Sequence, residues 1–317
     1  MALFLHSIQG VVIIIVMIAL GYLLASWGWF SEDSTKLVAR LVTQIALPAY
    51  MIATITKDFT AQKLLSTLPG LRFPVLNMAI LFGLSFGVMR ALNIKKEHRG
   101  LFSSMFLNSN TVFIGLPVNE ALFGNSALPY VLVYYMANTT IFWTLGVYLI
   151  QRDGVGTAKF NLKQTLSKIF SPPLLGFIIG VILVLCHIQL PNFLMQDFTY
   201  IGGLTVPLSM IFIGISMANA GLSSMRFDKD SIGILLGRFI FAPVLMTLML
   251  IPMSMPIEMK QVFILQSAMP VMTNAPVVSK LYGADADYAA VMVTETTLLS
   301  LIVIPFLMMI VQSNLIH

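Results

Sequence analysis

Ten apolar stretches follow one another along the chain with only short polar segments between them, at about 6–26, 34–55, 68–92, 101–123, 127–150, 168–188, 199–219, 230–253, 260–281 and 287–312. A run of roughly 20 apolar residues, rising 1.5 Å each, spans the ~30 Å hydrocarbon core of a bilayer. Lipid offers backbone N–H and C=O groups no partner, so each stretch must satisfy its own as a helix. Composition agrees: of 317 residues 58% are hydrophobic and 10% charged, and the mean hydropathy is +0.90, which leaves too little polar surface for a water-soluble globule. The expected fold is an all-α polytopic membrane protein with ten transmembrane helices, numbered one to ten in chain order.

The net charge of +5 is set by residues whose placement describes orientation, not nucleic-acid binding. Segments after odd-numbered helices hold Lys36; Arg90, Lys95, Lys96 and Arg99; Arg152, Lys159, Lys163 and Lys168; and Arg226, Lys229 and Lys280. Those after even-numbered helices hold only Lys57, Lys63, Arg72 and Lys260. The basic side is cytoplasmic, so both termini are expected outside the cytoplasmic (inner) membrane. The first stretch has no basic leader and no small-residue cleavage site, and it runs into Trp27, Trp29 and Phe30, as a retained helix with an interfacial aromatic belt does. Cys186 is the one cysteine, which excludes a disulfide framework. His6, His98, His187 and His317 lie at span ends or in loops and suggest no metal cluster.

A single gapless shift places Gly21 on Gly180, Pro48 on Pro207, Pro117 on Pro276 and Gly124 on Gly283. Glycine and proline constrain the backbone most strongly, so agreement at four such positions points to an internal repeat. Each half holds five helices, an odd number, so the second enters the membrane inverted, as in alternating-access transporters. The expected organisation is a first repeat at 1–150, a cytoplasmic linker at 151–167 and a second repeat at 168–317.

Helices four and nine each carry a repeat proline at mid-span. Proline removes an N–H and presses on the carbonyl four residues back, which should free backbone groups near 113–117 and 272–276. Beside these positions stand Asn108, Asn110, Gly115 and Pro117 in one helix and Gln266, Thr273, Asn274 and Pro276 in the other. Amides coordinate anions or cations, and two broken helices that cross at the membrane centre offer N-terminal donors together with freed carbonyls. The crossing is therefore the expected binding site. Pro48 and Pro207 lack comparable polar neighbours, Gln44 apart, and read as kinks.

Arg238 and Glu295 each lie about nine residues into their helices from the cytoplasmic side, close to mid-membrane at 1.5 Å per residue. Ionisable groups at that depth are functional candidates. Three roles are open: an ion pair, a guanidinium for a substrate carboxylate, or a proton-exchanging carboxyl. Snorkelling of Arg238 and bonding of Glu295 to its threonine neighbours is the structural alternative. Glu120 is expected to be solvated, and the Met-rich runs near 246–259 and 307–309 face lipid or pack.

The run Asn110-Thr111-Val112-Phe113-Ile114-Gly115-Leu116-Pro117, the stretch from Ala268-Met269-Pro270 to Pro276, Lys280 and Tyr282, and Leu47-Pro48 resemble the helix-four, helix-nine and helix-two motifs of the auxin efflux carrier family. That family includes plant auxin exporters and bacterial permeases for malate and related organic acids, and the resemblance covers essentially the whole chain. It implies a scaffold of helices one, two, six and seven that often dimerises, a mobile unit of helices three to five and eight to ten, and a substrate beside the crossing. Asn110, Pro117 and Pro276 carry over, with Asn274 the nearest second amide. Three features depart from plant members. Asn77 and Leu81 stand where these have an acid and a base on helix three, Pro276 follows Pro270 by six residues instead of five, and the long cytoplasmic loop is missing, as in compact bacterial-type members.

The expected function is secondary active transport of a small organic anion, malate-like or auxin-like, by alternating access through a rocking or elevator-like shift. No cofactor is expected beyond a coupling H⁺ or Na⁺, and the expected partners are the organic anion, the lipid bilayer and a second copy through the scaffold helices. The alternatives are an ion-coupled carrier of another amphipathic solute, an intramembrane enzyme using Glu295, or a receptor. The enzyme lacks paired carboxylates, a His–Glu zinc motif or a Ser–His arrangement, and a receptor has no need of inverted halves.

Overall fold

The computed structural model describes residues 2–154, 166, 170–220 and 227–312. Most of the expected linker, with Lys159 and Lys163, and also Lys168, Arg226 and His317, lie outside the described residues. Among the described residues there is no strand, and one isolated antiparallel bridge joins Ser109 to Val271.

Among the described residues each expected span contains helix, but the helices are interrupted in instructive places. Helix one is α1 (Ala2–Ser26). Helix two is α2 (Glu32–Arg40), a π turn (Leu41–Ala46) and α3 (Leu47–Asp58). After α4 (Ala61–Thr67) comes helix three, α5 (Arg72–Leu92). Helix four is split into α6 (Arg99–Leu107) and, beyond a π turn (Thr111–Gly115), α7 (Leu116–Phe123). Helix five is α8 (Leu128–Ile141), a π turn (Phe142–Gly146) and α9 (Val147–Asp153). Helix six is α10 (Pro172–Leu185), and helix seven is α11 (Asn192–Gly202) with α12 (Thr205–Ala220). Helix eight is α13 (Lys229–Leu236), a π turn (Gly237–Phe241) and α14 (Ala242–Leu250). Helix nine is α15 (Ile257–Ser267) and α16 (Ala275–Tyr282), and helix ten is α17 (Ala286–Gln312).

Five helical stretches are long and apolar enough to cross a bilayer: Asp33–Asp58, Ala61–Leu92, Asn192–Asn219, Lys229–Leu250 and Ala286–Val311. Val12–Ser26 and Pro172–Leu185 are shorter apolar helices, and helices four and nine fall short because each is cut in two. Three of the π turns end two residues before a proline: Ala46 before Pro48, Gly115 before Pro117 and Phe241 before Pro243. The extra residue in a π turn widens the coil where the proline ring would press on the preceding turn.

The chain groups into two compact units. The first comprises Met1–Pro69, Leu116–Pro129 and Leu166–Asn219. Its helices approach through glycines. A Cβ at Gly176 of α10 would lie 2.6 Å from the carbonyl oxygen of Pro48 in α3, and one at Gly202 of α11 would lie 2.7 Å from Tyr50 Cα. Gly21 of α1 and Gly214 of α12 press on the backbone of Ile211 and Ile18 respectively. The spacing Gly176-Phe-Ile-Ile-Gly180 is the small-residue pattern that lets membrane helices pack backbone to backbone. Helix α7 packs on α1 in this unit. Glu120 is half-buried against Tyr50, not solvated as expected.

The second unit comprises Gly70–Gly115, Tyr130–Thr165 and Ala220–His317. Phe106 stacks on Phe102 and lies near Phe241, and Tyr134 meets Phe263 edge-on. At one end His98 reaches Asp230 (3.1 Å) and Asp285 (3.2 Å) through its two ring nitrogens and stacks on Tyr288. Beside it the Asp153 carboxylate accepts the Leu101 N–H (2.7 Å) and so caps the start of α6. These contacts fix where helices four, eight and ten begin.

Candidate functional site

The second unit holds the crossing. Leu107 ends α6, and Asn108 turns to extended backbone (φ −97°, ψ 138°). Helix nine leaves α15 at Ser267 and resumes at Ala275. The freed segments meet: the Asn110 N–H donates to the Pro270 carbonyl (2.8 Å), within a short antiparallel bridge of Ser109 and Val271. The Val271 N–H donates to Thr296 Oγ1 of helix ten (3.1 Å). Asn138 of helix five behaves as a further strand partner, because its Oδ1 accepts the Ser109 N–H (2.9 Å) while its Nδ2 donates to the Ser109 carbonyl (2.8 Å). Buried backbone groups that lose a helical partner must find another, and here side chains of neighbouring helices provide it.

The breaks thus lie at 108–110, on the N-terminal side of the expected 113–117, and at 268–274, which begins before the expected 272–276 and overlaps it. Pro117 and Pro276 are the second residues of α7 and α16, where a missing N–H costs little. The prolines mark where α-helical geometry resumes, after the π turn in helix four and directly after the gap in helix nine; they do not themselves sit in the gap. Pro117 belongs to the portion of helix four grouped with the first unit.

Four of the expected residues come together. Asn110 Oδ1 accepts the Phe113 N–H (3.1 Å) and so caps the π turn. Asn108 Nδ2 donates to the Asn138 carbonyl (3.3 Å). Gln266 Nε2 donates to the Thr111 carbonyl (3.4 Å), and its side chain lies so close to Gly115 that a Cβ there would collide with the amide. Three amide atoms remain buried without a hydrogen-bond partner in the protein: Asn108 Oδ1, Asn110 Nδ2 and Gln266 Oε1. Buried polar atoms elsewhere in the protein also lack a protein partner, and water or a bound molecule can satisfy them; these three belong to one crossing.

The other expected residues stand elsewhere. Thr273, Asn274 and Pro276 are half-buried at the start of α16, and Asn274 makes no side-chain cap there. Asn77 donates to the Ala242 carbonyl (3.2 Å) and joins helix three to helix eight. Arg238 and Glu295 are both 0% exposed, yet they are not an ion pair. Glu295 Oε1 accepts the Phe227 N–H (3.2 Å). Arg238 donates to the carbonyls of Met269 (3.0 Å), Phe106 (3.2 Å) and Ser267. Equal depth did not mean contact, because the rotation of helix eight aims its guanidinium at the ends of the half-helices. Snorkelling is excluded by the same geometry. Asn138 and Thr296 were missed; an amide at mid-span beside Tyr134 and Tyr135, and the run Thr294-Glu295-Thr296-Thr297, were the available signals. Among the described residues no group of three or more His, Cys, Asp or Glu side chains is arranged to hold a metal ion.

Comparison with known proteins places this architecture. The family described as membrane transport protein matches residues 6–308. The chain is similar to an uncharacterized transporter of Methanocaldococcus jannaschii, 28% identical over 303 residues that cover 93% of this chain and 95% of that protein. It is also similar to an uncharacterized transporter of Methanothermobacter thermautotrophicus, 25% identical over 309 residues, 96% of this chain and 98% of that one. The chain belongs to the membrane transport protein family of auxin efflux carriers, and it is an integral membrane transporter.

Proposed function

We propose that the protein is a secondary carrier that moves a small organic anion, of the malate type, through the crossing of helices four and nine by alternating access. The observation that carries this reading is the set of unpartnered amide atoms at the crossing: one donor, Asn110 Nδ2, and two acceptors, Asn108 Oδ1 and Gln266 Oε1. A hydroxy-carboxylate matches that set, since its carboxylate accepts the amide N–H and its hydroxyl donates to an amide oxygen. Helix α16 begins immediately after the break and directs its N-terminal dipole to the same segment. A coupling cation, H⁺ or Na⁺, would use the freed oxygens. The reading includes ten spans in the inner membrane, both termini outside, and a dimer through helices of the first unit.

Counterflow of labelled malate in proteoliposomes tests the site. Asn110→Ala and Gln266→Leu should each slow exchange at least about tenfold, the loss expected for one or two buried hydrogen bonds. Exchange at the parental rate in both variants would place the site elsewhere. Orientation has its own test in a Cys186-free protein: a cysteine at Lys57 should react with an impermeant thiol reagent in intact cells, and one at Lys95 should not. The reverse labelling would overturn the assigned sides.

A further inference from the structure

Arg238 is the most deeply placed cation among the described residues, and all three of its hydrogen bonds go to backbone. Its acceptors share one property. Phe106 lies in the last turn of α6, Ser267 is the last residue of α15, and Met269 stands just past that end. Carbonyls at a helix C-terminus have no helical donor, and they carry the negative end of the dipole. Each end is equivalent to about half a negative charge, so two converging ends amount to about one, which a single guanidinium cancels.

The approach of helix eight is built for this contact. Gly233 and Gly237 are four residues apart, and a Cβ on either would collide with the ring of Phe102 or Phe106. Helix eight therefore lies directly on α6. The π turn that starts at Gly237 then brings Arg238 to the end of that half-helix. The guanidinium reaches its three carbonyls from three different nitrogens held in one rigid plane, whereas an ammonium has to place all three of its donors on a single atom.

We propose that Arg238 is the positioning residue of the crossing: it clasps the C-terminal ends of both half-helices in one register and cancels their negative dipole ends, so that an anion can occupy the gap without touching the guanidinium. The electrostatic half rests on the anion reading above; the clasp does not.

The test uses purified Arg238→Lys and Arg238→Gln proteins with two readouts. Hydrogen–deuterium exchange of 108–110 and 268–271 should accelerate about tenfold or more in both variants, since local opening of the bridge no longer works against the clasp. Unchanged protection of both segments in both variants overturns the proposal. In proteoliposomes, Arg238→Lys keeps the charge, so its KM for malate should stay within about threefold of the parent while the maximal rate falls; Arg238→Gln should raise KM about tenfold. The ratio of malate to lactate affinities should be the same in parent and variants. A collapse of that ratio would make Arg238 a substrate ligand and overturn the clasp. If the parent exchanges neither acid, the anion reading fails by itself, and the exchange of 108–110 and 268–271 still decides the clasp.

Discussion

Pro48 and Pro276 occupy the same place in their helices, second in α3 and second in α16, yet the backbone before them differs. Before Pro48 the chain widens into the π turn Leu41–Ala46 and stays helical. Before Pro276 it leaves the helix altogether over 268–274. The neighbours account for the difference. Helix two buries its own Leu47, Ala49, Met51 and Ile52 against the glycines of α10 and α11, none of which can replace a backbone hydrogen bond, and Gln44 is exposed. An open break there would strand polar groups in an apolar medium, so the turn absorbs the proline with its hydrogen bonds kept. Around helix nine, Arg238, Thr296 and the Asn110 N–H take up what the break releases. A proline determines where a helix can resume; partners on other helices determine whether the gap before it can open into a site.

The largest effect that sharpens this contrast is expected in the dry region. Gly176→Leu drives a side chain into the backbone at Pro48, where no flexible neighbour can yield, and should cost about 3 kcal/mol or more. Size-exclusion chromatography of detergent extracts should show the folded peak lost. Gly115→Ala meets instead the amide end of Gln266, a side chain that can rotate, so that variant should elute as the parent does while its malate exchange falls. Equal elution of the two variants would remove the distinction between a rigidly packed region and an adaptable one.

A smaller effect is expected at the prolines themselves. Pro276 stands in the first turn of α16 and Pro48 behind a π turn that already accommodates its ring, so replacing either by alanine should cost no more than about 1 kcal/mol. Because the break in helix nine is held by Arg238 and the Asn110–Pro270 hydrogen bond, alanine at 276 should not close it, and malate exchange should remain within about threefold of the parent. A large transport defect in Pro276→Ala with normal melting would show that the proline itself keeps the gap open.

Much of this was legible in the chain. The apolar stretches located the long helices among the described residues, though not the short α4, and the Gly/Pro landmarks drew attention to helices four and nine. The same shift that aligns Pro117 with Pro276 carries 116–123 onto 275–282, the bounds of α7 and α16, and both Gly124 (φ 70°) and Gly283 (φ 72°) stand just beyond them in the left-handed region. What could not be read was rotation about helix axes. Depth suggested Arg238 and Glu295 as partners, but one turns to backbone carbonyls and the other to the Phe227 N–H. Asn138 was hidden for a related reason: its role is to imitate a strand for Ser109, a segment whose extended form exists only because helix four is broken. The break in helix four was also placed too late, and that in helix nine begins earlier than expected, because the proline rule identifies a disfavoured hydrogen bond and not the partners that replace its neighbours.

The smallest expected effect lies beyond the crossing, at the cap that fixes the start of α6. Asp153 accepts the Leu101 N–H, an interaction that favours its ionised form, yet burial outweighs it and pushes the carboxyl up to about 6 from a usual value of 3.8. A raised pKa means that the folded protein holds this proton more tightly than the unfolded chain. The associated stability is fully present below about 3.8 and is lost as pH rises through about 6. Because the carboxyl is partly open to water, the effect should be on the order of 1 kcal/mol. In Asp153→Asn the amide oxygen can still accept from Leu101 but carries no charge. Below pH 4 the two proteins should melt together; by pH 7 the asparagine form should melt higher, with the difference developing between those limits. A constant offset across the range would mean that the carboxylate is paired well enough to escape the burial penalty, with His98 and Arg152 the nearest cations to supply the compensation.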